Sequence, residues 1–346
     1  MAAPLTRTNL IRTNLTRTNL TRTNMEATPV VPTTPSTPTV PHRHGGCRTG
    51  HRPPGAQQLV SVPSRIERAA RAPDVVALLG TLSRDAFLAD LETLAAQHTR
   101  RSESTGFDEV AIWAQTALAD AGYAVTTQPV PRGGGHCRNV IADRPGAGGE
   151  PRDVVLVTAH LDSINLSSPA EPAPGADDNG SGSAGLLALA RALAGRPAER
   201  DLRLILFGGE EEGLFGSVTY VAELPDDERA RIRAVLNMDM IGGRNTPEPG
   251  VLLEGAAVSQ DVIDALAGAA ATYTDLAVTT SLHPFNSDHV PFIDAGIPAV
   301  LTIEADDGAN PRPHTAADTV SAVDPDLAME ILRMNLAYLV ETLGRT

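Results

Sequence analysis

Three short apolar runs in this chain each lead into a side chain that can bind a metal. Val154–Ala159 runs into His160, Leu202–Phe207 is followed by the triplet Glu210–Glu212, and Ala234–Met238 is followed by Asp239. Runs this short, with almost no polar alternation, are the pattern of strands buried on both faces of a parallel sheet. A fourth run, Ala299–Ile303, has the same character. Helical patterns fall between the runs, so strands and helices alternate and the chain reads as an α/β layer fold with a mainly parallel sheet. Ligands of open α/β sheets bind in the crevice outside the carboxyl ends of the strands. One run ending this way would carry little weight. Three agreeing endings place a site and a sheet in one argument.

The rest of the body is consistent with that frame. Residues 65–97 set Val75, Leu78, Leu79, Leu82, Phe87, Leu88, Leu91 and Leu94 at helical spacing. Asp108 is placed to cap a helix through Leu118 that Gly122 ends. Tyr123–Val130 and Arg138–Ala142 read as strands joined by a turn at Gly133–Gly135. From Gly180 a helix carries Leu186, Leu189, Ala190 and Leu193 on one face, and Asp324 or Asp326 starts a last amphipathic helix to about Leu343.

The N-terminal residues differ in kind. Residues 5–24 repeat a five-residue unit, Leu-Thr-Arg-Thr-Asn and near variants. At about 100° per residue such a repeat smears its leucines around a helix and makes no apolar stripe. Residues 28–41 are rich in Pro and Thr, and His42, His44, Cys47 and His51 read as a solvated tract. Residues 1–62 are therefore expected to be a disordered Arg/Thr/Pro-rich tail, and 63–346 a single domain. The tail carries seven Arg and one acid, a balance of +6; the remainder carries 21 Arg and 41 acids, a balance of -20, and the chain has no Lys. So acidic a body argues against a nucleic-acid partner. Cys47 and Cys137 imply no disulfide framework, and Cys137 reads as a small buried filler. The chain has no apolar run long enough to span a bilayer and no signal-type apolar stretch as written, which makes the cytoplasm the default expectation.

Several further polar residues fit a metal site. Asp162 stands two residues from His160, where its carboxylate could hold the free ring N–H and fix the tautomer. Pro174–Gly182 packs Asp177, Asp178 and Asn179 between glycines that let backbone approach an ion. His314 follows the loop Gly308–Asn310, and Asp318 can cap the turn beyond it. A set of carboxylates and imidazoles without thiolates suits zinc, and a carboxylate left over beside two ions is the equipment of metal-assisted hydrolysis.

At this point the residues resemble the co-catalytic zinc aminopeptidases, the bacterial leucyl aminopeptidase and aminopeptidase Y group. The resemblance covers residues 65–346 and rests on His160-Leu-Asp-Ser163, Gly175-Ala-Asp-Asp-Asn-Gly-Ser-Gly182, Glu210-Glu-Glu-Gly-Leu-Phe-Gly-Ser217, Asn237-Met-Asp-Met240, Ser287-Asp-His289 and His314-Thr-Ala-Ala-Asp-Thr319. It implies a three-layer α/β/α fold with a central mixed, mainly parallel twisted sheet. It implies two zinc ions, with Asp178 as bridge, His160 and Asp239 completing one and Glu211 and His314 the other. Gly213 sets the register that makes Glu210 the general base, Glu211 the ligand and Glu212 a bystander. The implied activity is release of N-terminal residues from peptides by a di-zinc-bound hydroxide. A carboxypeptidase, a dipeptidase or a non-catalytic binding domain on the same fold is the alternative. A one-zinc glutaminyl cyclase relative lacks the first histidine, and His160 argues against it. Some relatives carry a tyrosine before the last histidine; here that position is Pro313. Tyr220 and Tyr273 are the remaining tyrosine candidates for holding an oxyanion, each with core packing as the plainer role. Ser287, Asp288 and His289 are expected near the site.

Overall fold

The structure is a computed structural model, and it describes residues 60–62, 68–131 and 137–344. The N-terminal repeat, the Pro/Thr segment, the His/Cys tract and the Gly133–Gly135 turn lie outside the described residues. The described residues belong to one compact unit.

Eight strands form one mixed sheet in the order β1-β2-β4-β3-β5-β8-β6-β7. They are β1 Ala124–Pro129, β2 Arg138–Arg144, β3 Val154–His160, β4 Asp201–Phe207, β5 Ile232–Met238, β6 Gly250–Glu254, β7 Ala277–Ser281 and β8 Ala299–Glu304. The central strands β4, β3, β5 and β8 run parallel, as the unbroken apolar runs predict. The β1–β2, β2–β4 and β6–β8 pairs are antiparallel. Alternate residues of each central strand feed two cores. Val155, Val157, Leu204, Leu206, Leu236 and Met238 face one side. They pack with helices α2 (Arg84–Ala95), α3 (Thr105–Asp120), α4 (Gly182–Leu193), α7 (Gln260–Tyr273) and α9 (Pro325–Leu343). Leu156, Ile205, Phe207 and Val235 face the other, under α5 (Phe215–Glu223) and α8 (His289–Asp294). Three layers follow, α/β/α. Fully burying a leucine or valine contributes about 1.5–3 kcal/mol, so each face of the sheet adds several such increments.

Several local signals resolve differently from the sequence reading. The helical stretch at 65–97 is two helices, α1 Pro73–Leu79 and α2, because Ser83 turns extended and its side chain caps Ala86 N. Ser104, not Asp108, caps α3, accepting from Phe107 N at 3.1 Å. Asp108 instead lies in the first turn, where it is ion-paired with Arg138. Of the two starts the sequence offers for α9, Asp324 is the one that caps it. The patterning assigns no element between Asp239 and Ala299, where the structure has β6, α7, β7 and α8. The strands there are only five residues long, and α7 is alanine-rich, with Val262, Ile263, Leu266 and Tyr273 its only large apolar side chains. Ser61 exchanges two 2.8 Å backbone bonds with Thr280 of β7. No helix among the described residues is long and apolar enough to cross a membrane.

Candidate metal centre

Four parallel strands deliver the site from their carboxyl ends. His160 is the last residue of β3, Asp239 follows β5, and Glu210 and Glu211 follow β4 across Gly208–Gly209. Asp178 sits on an irregular turn, Ala176–Ser181, whose backbone leaves helical geometry at Asp178 and Asn179 as it leads from the loop after β3 into α4. His314 lies on the loop after β8 with φ of 60°, a left-handed backbone that costs a non-glycine residue free energy and is found where function fixes geometry. Gly213, with φ of 128°, closes the turn behind the glutamates, its N–H on Glu210 O at 2.9 Å.

The structure brings the five expected ligands together. His160 Nε2 is 3.3 Å from Asp239 Oδ1 and 3.3 Å from Asp178 Oδ1. His314 Nε2 is 3.0 Å from Asp178 Oδ2 and 2.6 Å from Glu211 Oε2. The two oxygens of Asp178 therefore face two different imidazoles. Glu210 Oε2 lies 3.9 Å from His160 Nε2. All six residues are buried, none more than 7% exposed.

Such a cluster fits divalent cations. Ligand atoms of His160, Glu210 and Asp239, and again of His160, Asp178 and Glu211, lie within 4.8 Å of one another. By proximity alone Glu210 groups with a ligand set. Its neighbour Glu211 has the closer imidazole, His314, and a buried Oε1 with no hydrogen-bond partner among the described residues, as a ligand oxygen would. Charge tells the same story. Burial and then Asp178 push Glu211 up to about 7, and burial, partly opposed by His160, pushes Glu210 well above the usual carboxylate range. Burial pulls His314 down, but Glu211 and Asp178 outweigh it and raise the imidazole to about 12. His160 is likewise raised well above its ordinary value, burial being overcome first by Asp239 and Glu210. An acid cluster this buried calls for positive charge, which cations held by these residues would supply.

Around the ligands, carboxylates hold main chain. Asp162 was expected to grip the ring of His160. Its carboxylate instead accepts from Glu210 N and Glu211 N, both at 3.1 Å, and its Oδ1 is 3.7 Å from His160 Nδ1, beyond a hydrogen bond. The backbone oxygen of Asp162 takes the ring N–H at 3.2 Å, which leaves Nε2 for the ligand role. Asp318 does not cap the turn after His314; it accepts from Asp177 N at 2.8 Å and Asp178 N at 3.0 Å. Asp177 receives Gly242 N and the Ser181 hydroxyl, and Asn310 Nδ2 bridges it to Glu304. Ser287 donates to Asp239 Oδ2 at 2.7 Å and accepts from Asn237 Nδ2. Asp288 and His289 are buried beside it, His289 Nε2 being 3.6 Å from Glu254. Glu212 is ion-paired to Arg101 and accepts from Ser102, so it is held rather than idle. Glu304, Asn310 and Arg100 carry no sequence signal of their own; only the fold brings them to the site.

The two candidate tyrosines are packed elsewhere. Tyr220 contacts Phe207 and Phe292 and accepts from Arg203, and Tyr273 accepts from Ala72 N. Cys137 is buried behind the loop Gly208–Gly209, as a filler should be.

The pocket in front of the ligands has a mixed wall. Met240, Leu252, Leu301 and Ile303 form a small apolar cluster of their own, and all four line it. Phe285 and Ser287 add to the wall, with Glu254 and Asp307 among the acids.

Comparison with known proteins accords with this geometry. The leupeptin-inactivating enzyme 1 of Streptomyces exfoliatus is 35% identical over 248 residues, covering 69% of this chain and 52% of that enzyme. The chain thus spans about half the length of that relative. A probable leucine aminopeptidase of Arthroderma benhamiae is 29% identical over 282 residues, covering 77% of this chain and 75% of the other. In structure, the chain resembles BSAP, a zinc aminopeptidase from Bacillus subtilis, with a TM-score of 0.66 over 76% of this chain and 96% of that one, at 18% identity, a likeness of fold. The sequence profile of peptidase family M28 matches residues 139–339, a span that holds every candidate ligand and the glutamate beside them, and on that match the chain belongs to peptidase family M28.

Proposed function

We propose that this chain is a zinc-dependent aminopeptidase, with His160, Asp178 and Asp239 holding one ion, Asp178, Glu211 and His314 a second, and Glu210 serving as general base. The observation that carries this reading is the two-sided carboxylate of Asp178, one oxygen on each imidazole. When bound, the ions supply an activated water and a Lewis acid for the scissile carbonyl. The chain's own residues do the rest. Glu210 Oε2 takes a proton and later hands it to the leaving amine, a role suited to a carboxylate whose burial lifts its proton affinity well above the ordinary carboxylate range. Asp162 holds Glu210 and Glu211 in register through their backbone N–H groups.

The pocket favours an amine end over a carboxyl end. Besides the ligands and Glu210, its described lining includes two acids, Glu254 and Asp307, and no arginine. A carboxypeptidase needs a cation to receive the substrate's terminal carboxylate. An aminopeptidase needs acids for the free ammonium. Met240, Leu252, Leu301 and Ile303 then receive an apolar first side chain, such as leucine. Assay against free-amine and N-blocked dipeptides, with chelator and zinc add-back, tests the reading. Zinc-restored cleavage of free amines alone is expected, and cleavage of blocked peptides contradicts it.

A further inference from the structure

Three loops bearing ligands converge on one short stretch of chain that the catalytic reading does not use. Arg100, between α2 and α3, is fully buried. A buried guanidinium ordinarily takes a carboxylate partner. Here the hydrogen bonds of Arg100 go to main-chain carbonyls: Nε to Leu161 at 2.8 Å, Nη2 to Gly175 at 2.9 Å, and Nη1 to Leu94 at 3.1 Å and to Pro174. Its backbone N–H reaches Ser163 Oγ at 3.1 Å. The next two residues turn the other way. Arg101 Nε lies 2.9 Å from Glu212 Oε1, and Ser102 donates to the same carboxylate.

Each anchor stands beside a ligand. Leu161 follows His160, Gly175 precedes the turn that carries Asp178, and Glu212 follows Glu211. The approach at Gly175 is close: a Cβ there would come within 2.5 Å of Ser163 Cβ and 3.0 Å of Arg100 Nη2. The carboxylates of Asp318, Asp162, Asp178 and Glu211 surround the guanidinium without bonding to it and keep it charged against burial. The cation therefore compensates the acid cluster while its planar fork measures the distance between two loops. Lysine, with three donors on a flexible stem, cannot make this set of contacts.

We propose that Arg100–Ser102 is a positioning clasp, with Glu212 its receiving end, that sets the spacing of His160, Asp178 and Glu211 for a pair of cations. The clasp rests on the metal-centre reading above, and zinc affinity rather than turnover separates the two. Metal-free full-length protein, Arg100→Lys and Glu212→Ala are titrated with zinc in competition with a chromophoric chelator, and the thermal midpoint of each metal-free protein is recorded. Loss of Glu212 leaves Arg101, 33% exposed, free to turn to water, so this variant decides the matter if Arg100→Lys does not fold. The clasp predicts zinc affinity weakened about tenfold or more in each folded variant, with lysine giving no rescue. Unchanged zinc affinity in the folded variants, whatever their thermal midpoints, overturns the clasp. A wild-type protein that binds no zinc overturns the metal reading and the clasp with it.

Discussion

The carboxylate of Asp318 accepts the backbone N–H of Asp178 at 3.0 Å, so the residue with an oxygen on each imidazole is held by its main chain as well as by its side chain. The second oxygen of Asp318 takes Asp177 N at 2.8 Å. This pair of bonds keeps a turn of acids in place against mutual repulsion. Removing Asp318 strands two buried N–H groups, each costing about 1–3 kcal/mol. Asp318→Ala is expected to lower the thermal midpoint and to weaken zinc binding by roughly tenfold or more. A variant with wild-type zinc affinity and midpoint would show that the turn holds itself.

Replacing Glu210 separates proton transfer from metal binding. Glu210→Gln keeps the shape of the residue and the backbone bond to Asp162, and removes the base. Turnover should fall by roughly 10²–10⁴-fold while zinc content is kept. Elemental analysis and kcat on one preparation check both halves. Loss of zinc in this variant would move Glu210 into the ligand set that its proximity to Asp239 and His160 allows.

Shape should decide which first residue is cleaved. Leu252 is buried in the apolar wall with Met240, Leu301 and Ile303. Leu252→Phe fills that space, and the ratio of kcat/KM for leucyl over alanyl substrates should drop by roughly tenfold or more, the value of a few apolar contacts. An unchanged ratio would place the first side chain elsewhere.

A stability prediction comes from the amino end of β4. Burial would raise the Asp201 carboxyl, but the Arg152 side chain, Gly146 N and Arg231 together hold it below the ordinary value. A folded-state value below the unfolded one means stability present above the unfolded pKa of about 3.9 and lost as pH falls through the folded value. The midpoint of the wild type should therefore exceed that of Asp201→Asn at neutral pH, with the gap closing as the pH drops below about 4. A gap independent of pH would remove the charge from the explanation.

How far the sequence carries is uneven, and the reason is physical. Strands β3, β4, β5 and β8 are buried on both faces, so composition alone reveals them, and the residues at or just beyond the ends of the first three are ligand candidates by position. The local motifs around Asp178 and His314 complete the set by resemblance. What stays hidden depends on tertiary contact. Asp162 and Asp318 are visible as acids, but that they receive backbone N–H groups from 48 and 140 residues away is decided by how loops meet. Arg100 looks like a solvated residue in a polar stretch, His-Thr-Arg-Arg-Ser, and is instead fully buried among carbonyls. The strands β6 and β7 are too short to show a period, and their places, β6 beside β8 and β7 beside β6, follow from pairing alone.

The proposed site requires Asp178 to serve two cations at once. Zinc titration of the metal-free protein, with bound metal and peptide-releasing activity followed together, tests this most directly. We predict two zinc ions per chain, activity that appears with them, and loss of paired binding in Asp178→Asn. Binding of two ions unaltered by that substitution, or full activity in protein stripped of metal, would contradict it.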